Sequence, residues 1–223
     1  MEYLKLEKDM LFSDFITSSD KVYTIGTEVE ATEVENGKNY FKNILISISK
    51  NDGDFSIDTI KELEVNKEKQ YFFNDVITKG NYLYAVSAGW RDLDSLEKIY
   101  AGAIYRYDLV NATSEFYTIE EIFPSDIYDI GDDFLAISHE SITIDKLGFT
   151  IFNYETLQNE FVDISPYAIS ENERIVDIKR LDLNHLLLLT ENQLIVYDIL
   201  KGTITLQLKC DDTLGTVFHI WIN

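Results

Sequence analysis

The chain has 223 residues and a formal net charge of −21, and 45% of its residues are apolar and 13% aromatic. This apolar content excludes a disordered chain, and the length suffices to bury a core. The charge excludes direct binding to nucleic acid or to an anionic membrane surface, and it favours a basic protein partner.

Cysteine use and the first residues indicate where the protein works. Cys210 is the one cysteine of the chain, so no intrachain disulfide can form. Residues 1–9 lack the basic start and following apolar stretch of a signal peptide. A reducing compartment fits both observations, and we expect a cytoplasmic protein.

A short phrase centred on aspartate recurs four times along the chain. Its members are Asp14, Asp75, Asp126 and Asp177, at intervals of 61, 51 and 51 residues. Each phrase opens a run of strand-like segments, and the near-copy at 218–221 lies close to the C-terminus. Repeats of this size made of short strands are typical of radially repeated all-β folds.

The second repeat shows the order of its elements clearly. Alternation predicts a strand at 72–78. A turn at 79–81 that contains Gly80 follows it, and a second strand is expected at 82–87. After an insertion, further strands are expected at 103–108 and 115–119. Four strands joined by turns make one sheet of such a repeat.

The other repeats follow the same order. Third strands are expected at 44–48, 103–107, 150–154 and 194–197. Fourth strands are expected at 55–60, 115–119, 161–164 and 204–208. Polar turns separate the third strand from the fourth in each repeat.

Spacing and strand order resemble the β-propeller superfamily, although the chain carries no WD or Kelch signature. The resemblance implies one all-β domain over 1–223, with four complete blades and either a sparse fifth or no fifth blade. The blades are expected at 10–64, 70–121, 122–167 and 171–212, with closing strands at 2–6 and 215–222. A different protein could complete the fifth blade, or a second copy could complete it and make the chain a homo-oligomer. The alternative all-β fold is a β-sandwich with turns at similar spacing.

Two long insertions are the best candidates for a binding surface. In a four-stranded meander, loops between the second and third strands emerge at the same end as the loops between blades, and binding residues often lie on such loops. The first insertion, 28–40, is rich in glutamate, and the second, 88–100, contains a Trp-Arg pair of the kind that anchors interfaces. The candidate partner-binding residues are Glu28, Glu30, Glu33, Glu35, Trp90, Arg91, Asp92 and Asp94. The alternative is that the glutamates only solvate a loop and that the tryptophan folds back on its own blade.

The repeated aspartates have two interpretations. Asp14, Asp75, Asp126 and Asp177 could form a ring of carboxylates that binds a divalent cation, with His219 as a further ligand. Alternatively, each carboxylate accepts hydrogen bonds from nearby backbone. A position that recurs in every blade is explained more simply as part of blade construction, so we expect no cofactor.

Motifs for catalysis are weak. The three histidines, His139, His185 and His219, form no zinc-binding pattern, and Cys210 precedes two acids that would raise its pKa. We therefore expect a non-enzymatic, protein-binding propeller with an acidic face. One form would be an immunity or inhibitor protein that neutralises a basic toxin by occlusion. The alternative is a metal-dependent hydrolase or a sugar-binding propeller that uses the central carboxylates.

Overall fold

The computed structural model describes residues 9–18, 21–28, 32–34, 38–40, 42–51, 54–63, 69–92, 98–99, 102–119, 123–140 and 146–209. Within these ranges the chain is built from β-strands, and the one helical segment is a 3-10 turn at Ser165–Tyr167. That segment is far too short to cross a membrane, and no other helix occurs in the same ranges. The chain divides into two compact units, Met1–Thr118 and Ile119–Asn223.

The first unit contains two large antiparallel sheets. The first sheet consists of β1 (Met10–Phe12), β2 (Ile16–Ser18), β3 (Lys21–Glu28), β6 (Asn43–Asn51) and β7 (Asp54–Glu62). β4 (Thr32–Val34) and β5 (Lys38–Tyr40) pair as a separate hairpin. The second sheet consists of β8 (Lys69–Lys79), β9 (Tyr82–Asp92), β10 (Lys98–Ile99), β11 (Ala103–Asp108) and β12 (Ser114–Thr118).

The second unit contains two four-stranded antiparallel sheets. The third sheet has the order β13 (Pro124–Asp129), β14 (Phe134–His139), β15 (Gly148–Asn153) and β16 (Gln158–Asp163). The fourth has the order β17 (Ile175–Arg180), β18 (His185–Thr190), β19 (Gln193–Asp198) and β20 (Thr203–Lys209). Each strand pairs with the next one along the chain, so both sheets are simple meanders.

Each unit has its own apolar core between its two sheets. In the first unit, Leu45 of the first sheet and Tyr105 of the second belong to one buried cluster. In the second unit, Phe149 of the third sheet meets Tyr197 of the fourth edge to face, with ring centroids 5.4 Å apart. Burying a side chain such as Phe149 contributes up to about 3 kcal/mol. Successive side chains of a strand point to opposite faces of its sheet, so each strand contributes every second side chain to the core of its unit.

Four antiparallel meanders are compatible with a four-blade β-propeller, so the prediction of an all-β, propeller-like fold is confirmed. A sandwich would join these strands into two sheets, whereas the described strands form four sheets and a hairpin. The expected closing strands at 2–6 and 215–222 lie outside the described residues.

The two insertions differ from the loops expected there. The first contains the β4–β5 hairpin, and the second continues β9 to Asp92, where β10 pairs with it. Trp90 and Arg91 therefore lie on a strand. Gly89 suggests a loop in the sequence, but here it lies where the register between β8 and β9 shifts, and a glycine inside a strand often marks a bulge.

Candidate partner-binding surface

Each repeated aspartate lies at an irregularity in the first strand of its sheet. Asp14 lies between β1 and β2, which pair with β3 in registers that differ by one residue. The first strands of the other sheets shift register at the positions of Asp75, Asp126 and Asp177. A β-bulge bends its strand and increases the local twist. The repeat therefore marks a bulge that recurs in all four sheets.

The side-chain carboxylates of the first two repeated aspartates accept hydrogen bonds from the next residue of the chain. The Oδ1 atom of Asp14 accepts a hydrogen bond from the backbone N–H of Phe15 at 2.7 Å. Asp75 Oδ1 accepts one from Val76 N at the same distance. These bonds favour the structural interpretation, in which the side chain bonds nearby backbone.

The third and fourth repeated aspartates use side-chain partners. Asp126 Oδ2 accepts a hydrogen bond from the buried Ser138 hydroxyl at 3.0 Å, and Lys179 Nζ lies 3.4 Å from Asp177 Oδ1. In the described part of the chain, no group of three or more His, Cys, Asp or Glu side chains is placed to hold a metal ion. His219 lies outside that part. The structure thus offers no support for the cation-binding interpretation among these residues.

Among the predicted partner-binding residues, Glu28 is the one whose side chain is described. This side chain is buried, and Glu28 is only 5% exposed. The pKa of Lys42 is raised, first by its hydrogen bond to Glu62 at 2.8 Å and to a lesser degree by the charge of Glu28. Burial makes direct contact between Glu28 and a partner unfavourable. Glu30, Glu35 and Asp94 lie outside the described residues, and only the backbone is described for Glu33, Trp90, Arg91 and Asp92. Their role in partner binding stays a prediction.

A cluster of charged and aromatic side chains on the second sheet was not predicted. The Arg106 guanidinium lies over the rings of Tyr82 and Tyr117, at 4.9 and 5.4 Å from their centroids. Arg106 and the Tyr117 hydroxyl both donate hydrogen bonds to Glu115. These two bonds lower the pKa of Glu115, and burial followed by Glu115 raises the pKa of Tyr117. Neither group is suited to exchange protons near neutral pH.

Every displaced pKa in the described residues moves away from neutral pH. Carboxyl pKa values are lowered at Asp108, Glu115, Asp163, Asp182 and Asp198. The pKa values of tyrosines and cations are raised at Tyr71, Tyr117, Tyr197, Lys42 and Arg106. A general acid or base works best with a pKa near the operating pH. These shifts move each group away from it.

Several of the lowered pKa values come from turn construction. Asp108 accepts hydrogen bonds from the backbone N–H groups of Asn111 and Val110 and from the Asn111 amide, with the Asn111 backbone as the largest cause of its low pKa. Asp198 accepts bonds from Lys201 Nζ and N at 2.7 and 3.0 Å, and the Nζ contact is the main cause there. Both carboxylates close the turn between the third and fourth strands of a sheet.

A buried carboxylate in the second unit, that of Glu173, was also not predicted from the sequence. Glu173 accepts hydrogen bonds from Ile169 N at 2.6 Å, from Gln193 Nε2 at 3.1 Å and from the Thr190 hydroxyl. Gln193 also donates to the carbonyl of Tyr167 at 2.9 Å. These bonds tie the connection between the third and fourth sheets to β18 and β19, so the role of Glu173 is structural.

Four turns lie at one end of the second unit, at 130–133, 154–157, 181–184 and 199–202. Arg180 joins two of them, because it donates to the Ile130 carbonyl at 2.5 Å, to Asp132 Oδ2 at 2.7 Å and to the Leu183 carbonyl at 2.8 Å. We call the surface formed by these four turns the turn face.

Further hydrogen bonds attach the other two turns. Tyr154 donates from its backbone N–H to the Asp133 carbonyl at 3.0 Å and from its hydroxyl to the Asp132 carbonyl at 2.6 Å. Ile199 N donates to the Asn184 carbonyl at 2.7 Å. The turn face is therefore one continuous surface held by bonds between turns.

The turn face combines exposed leucines with carboxylates. Leu183 and Leu200 are each 77% exposed, and Leu181 is 46% exposed. Exposed carboxylates accompany them at Asp129, Asp132, Asp133, Glu155 and Asp182. The nearby cations have partners, since Arg180 is bound as above and Lys201 bonds Asp198. Apolar residues with a charged rim are typical of a protein-binding surface.

Comparison with known proteins gives no family. No family model matches the chain, and no curated protein matches it either. Among solved structures, a chimera of the oxygenase ACO and RPE65 aligns with a TM-score of 0.51 at 8% identity, over 91% of this chain and 51% of the chimera. A mutant of the apocarotenoid oxygenase of Synechocystis aligns at 8% identity with a TM-score of 0.47, over 84% of this chain and 46% of that one. An extracellular domain from B. thetaiotaomicron aligns at 16% identity with a TM-score of 0.37, over 96% and 35% of the two chains.

These similarities concern the fold alone, because the identities are very low. The chain spans about half the length of the oxygenase structures that it matches.

Proposed function

We propose that this chain is a non-enzymatic binding protein that takes a basic protein partner onto the turn face. The observation that carries the proposal is the set of exposed leucines, Leu181, Leu183 and Leu200, surrounded by carboxylates in a protein of net charge −21. The displaced pKa values support a binding role, since none of them moves toward neutrality.

The mechanism divides between the two kinds of side chain. The carboxylates attract a basic surface over a distance and orient it, which raises the association rate. The leucines then lose their contact with water against apolar groups of the partner, which slows dissociation. A cytoplasmic immunity or inhibitor protein that covers the working surface of a basic toxin would use this mechanism.

The test begins with affinity capture from the native cell and continues with the purified partner. The association rate should fall at least about tenfold as the salt concentration rises from about 20 mM to about 300 mM. An association rate that ignores salt would contradict electrostatic attraction.

Matched variants locate the surface. Leu183→Ser combined with Leu200→Ser should weaken binding mainly through faster dissociation, by about tenfold or more. Phe55→Ser is the control, because Phe55 is an exposed apolar residue of the first unit. If the control weakens binding as much as the leucine variant does, or if only the control weakens it, the partner does not use the turn face.

A further inference from the structure

The last described strand, β20, has an open outer edge. Within the described ranges, β20 pairs with β19 on one side and with no strand on the other. All of its residues except Ile204 are exposed. An exposed edge presents unpaired backbone N–H and C=O groups that can bind another strand.

The last strands of the other three sheets, β7, β12 and β16, differ from β20 in charge. β7 includes Asp54 and Glu62, β12 includes Glu115, and β16 includes Glu160 and Asp163. β20 reads Thr-Ile-Thr-Leu-Gln-Leu-Lys and has no carboxylate at all. Charged side chains on an edge discourage pairing with other chains. β7, β12 and β16 therefore carry carboxylates that discourage pairing with another chain, and β20 carries none.

The exposed leucines of β20 share one face. A register shift near Thr205 turns Leu206 and Leu208 to the face opposite Ile204, which packs into the core of the second unit. Leu206 is 45% exposed and Leu208 is 50% exposed. Their neighbours on β19 are Val196 and Leu194, so this face of the fourth sheet ends in an apolar row.

We propose that β20 is a self-association edge, and that a second copy of this chain adds its own β20 in antiparallel orientation. Two copies with a net charge of −21 each repel one another, so contact is least unfavourable where carboxylates are absent. Among the described edge strands of five or more residues, only β20 meets this condition, and the edge strands β1, β2 and β10 have only two or three residues each. Antiparallel pairing of identical strands has twofold symmetry and closes on itself as a dimer.

The pairing has a defined register. If the twofold axis passes through Gln207, Leu206 of one copy lies opposite Leu208 of the second copy, and the same contact repeats across the axis. Backbone hydrogen bonds supply affinity, and the two leucine pairs select this register. Gln207 stays free to keep its own bonds to Tyr167 and Gln193, because it projects to the other face.

Salt separates this inference from the proposed function. Added salt screens the repulsion between two acidic copies and should strengthen the dimer. The same salt should weaken association with a basic partner. The dimer and the binding of a basic partner can therefore be disproved independently of one another.

Sedimentation equilibrium of the full chain, from about 5 µM to about 500 µM, tests the dimer by mass action. The natural chain should show a monomer–dimer equilibrium that shifts toward dimer in salt. Leu206→Glu should weaken the dimer at least about tenfold. Leu200→Glu, which adds the same charge to an exposed turn residue, should weaken it much less. A monomer at every concentration overturns the proposal, as does an equal loss in both variants.

Disulfide trapping tests the register and does not rely on a disruptive variant. In a Cys210→Ser background, Leu206→Cys and Leu208→Cys chains are oxidised singly and as a mixture. Residues directly opposite in an antiparallel pair are close enough to bridge. The mixed 206–208 disulfide should form faster than either self-linked product. Absence of the mixed product overturns the pairing.

Discussion

At the scale of single residues, one side-chain oxygen closes the turn between the third and fourth strands in three sheets. Asp108 and Asp198 do so with a carboxylate, and Asn153 does so with an amide that accepts hydrogen bonds from Glu155 N at 3.0 Å and Thr156 N at 2.8 Å. Both aspartates follow a tyrosine in the sequence, as Tyr107-Asp108 and Tyr197-Asp198, and Tyr154-Glu155 therefore resembles their counterpart in the third sheet. The strand register shows that Asn153 is the counterpart, because it ends β15 as Asp108 ends β11.

The carboxylate turn makes stability depend on pH, and the amide turn does not. Hydrogen bonds from Asn111 and Val110 hold the pKa of Asp108 below its ordinary value of about 3.9. A lowered folded pKa stabilises the fold above the unfolded pKa, and this contribution is lost as pH falls through the folded pKa. As the pH is lowered below about 4, the melting temperature of Asp108→Asn should therefore fall less than that of the natural chain.

Two further variants define this prediction. Asp108→Ala should be less stable than Asp108→Asn near neutral pH, because alanine cannot accept the turn bonds. Asn153→Asp should make the third-sheet turn sensitive to acid. Parallel acid profiles for the natural chain and Asp108→Asn would show that the carboxylate contributes nothing.

Glu173 should be among the most sensitive single positions in the second unit. Glu173→Ala leaves the Ile169 N–H, the Gln193 amide and the Thr190 hydroxyl without their buried acceptor. Unsatisfied buried donors are costly, and we expect the free energy of unfolding in urea to fall by about 3 kcal/mol. Glu171→Ala, two residues earlier and exposed, should change it by less than about 0.5 kcal/mol. Equal effects would mean that the buried acceptor has no special role.

At the scale of elements, the strands were predictable because short apolar or alternating runs between polar turns are a local signal. The expected strand at 103–107 is β11 (Ala103–Asp108), and the expected strand at 194–197 lies within β19 (Gln193–Asp198). The bulges at the repeated aspartates were not predictable, since a register shift depends on the partner strand. The extension of β9 to Asp92 was missed for the same reason, because Gly89 suggests a loop until β8 and β10 are seen to pair around it.

The third sheet needs a glycine where its third strand begins. A Cβ at Gly148 would lie 2.5 Å from the Val162 carbonyl oxygen and 2.3 Å from the Phe161 ring. Gly148→Ala should lower the free energy of unfolding in urea by about 1–3 kcal/mol, because two paired strands would have to move apart. In a Phe161→Ala background the ring is gone but the backbone oxygen stays, so Gly148→Ala should cost less there than in the natural chain and still lower the stability. An unchanged stability in Gly148→Ala would mean that the strands separate at no cost.

The location of the candidate surface was not predictable from the sequence, and the class of its partner stays a prediction. Net charge alone predicts a basic partner, and that prediction carries over into the proposed function. The turn face depends on Arg180, which bonds Ile130 and Asp132 about fifty residues earlier in the chain. Without those contacts, Leu183 and Leu200 resemble isolated residues in two unrelated turns.

At the scale of the whole molecule, the net charge should weaken the fold at low ionic strength. Repulsion among the excess carboxylates opposes the compact state, and salt screens it. The screening length falls from about 30 Å at 0.01 M salt to about 8 Å at 0.15 M. The melting temperature should therefore rise by several degrees as sodium chloride increases to about 0.3 M, and then level off.

Surface ion pairs act in the opposite direction, so their magnitude matters. Lys42–Glu62 and Arg174–Glu191 are exposed or half-buried pairs with distances of 2.8 and 2.9 Å, and salt weakens them. Each such pair contributes at most about 1 kcal/mol, and the pairs within the described residues are few beside the net excess of 21 negative charges. Replacing exposed Asp133 and Glu155 by lysine reduces the excess by four and should flatten the response to salt. A melting temperature that falls with added salt would show that ion pairs, and not carboxylate repulsion, dominate the electrostatic energy of this protein.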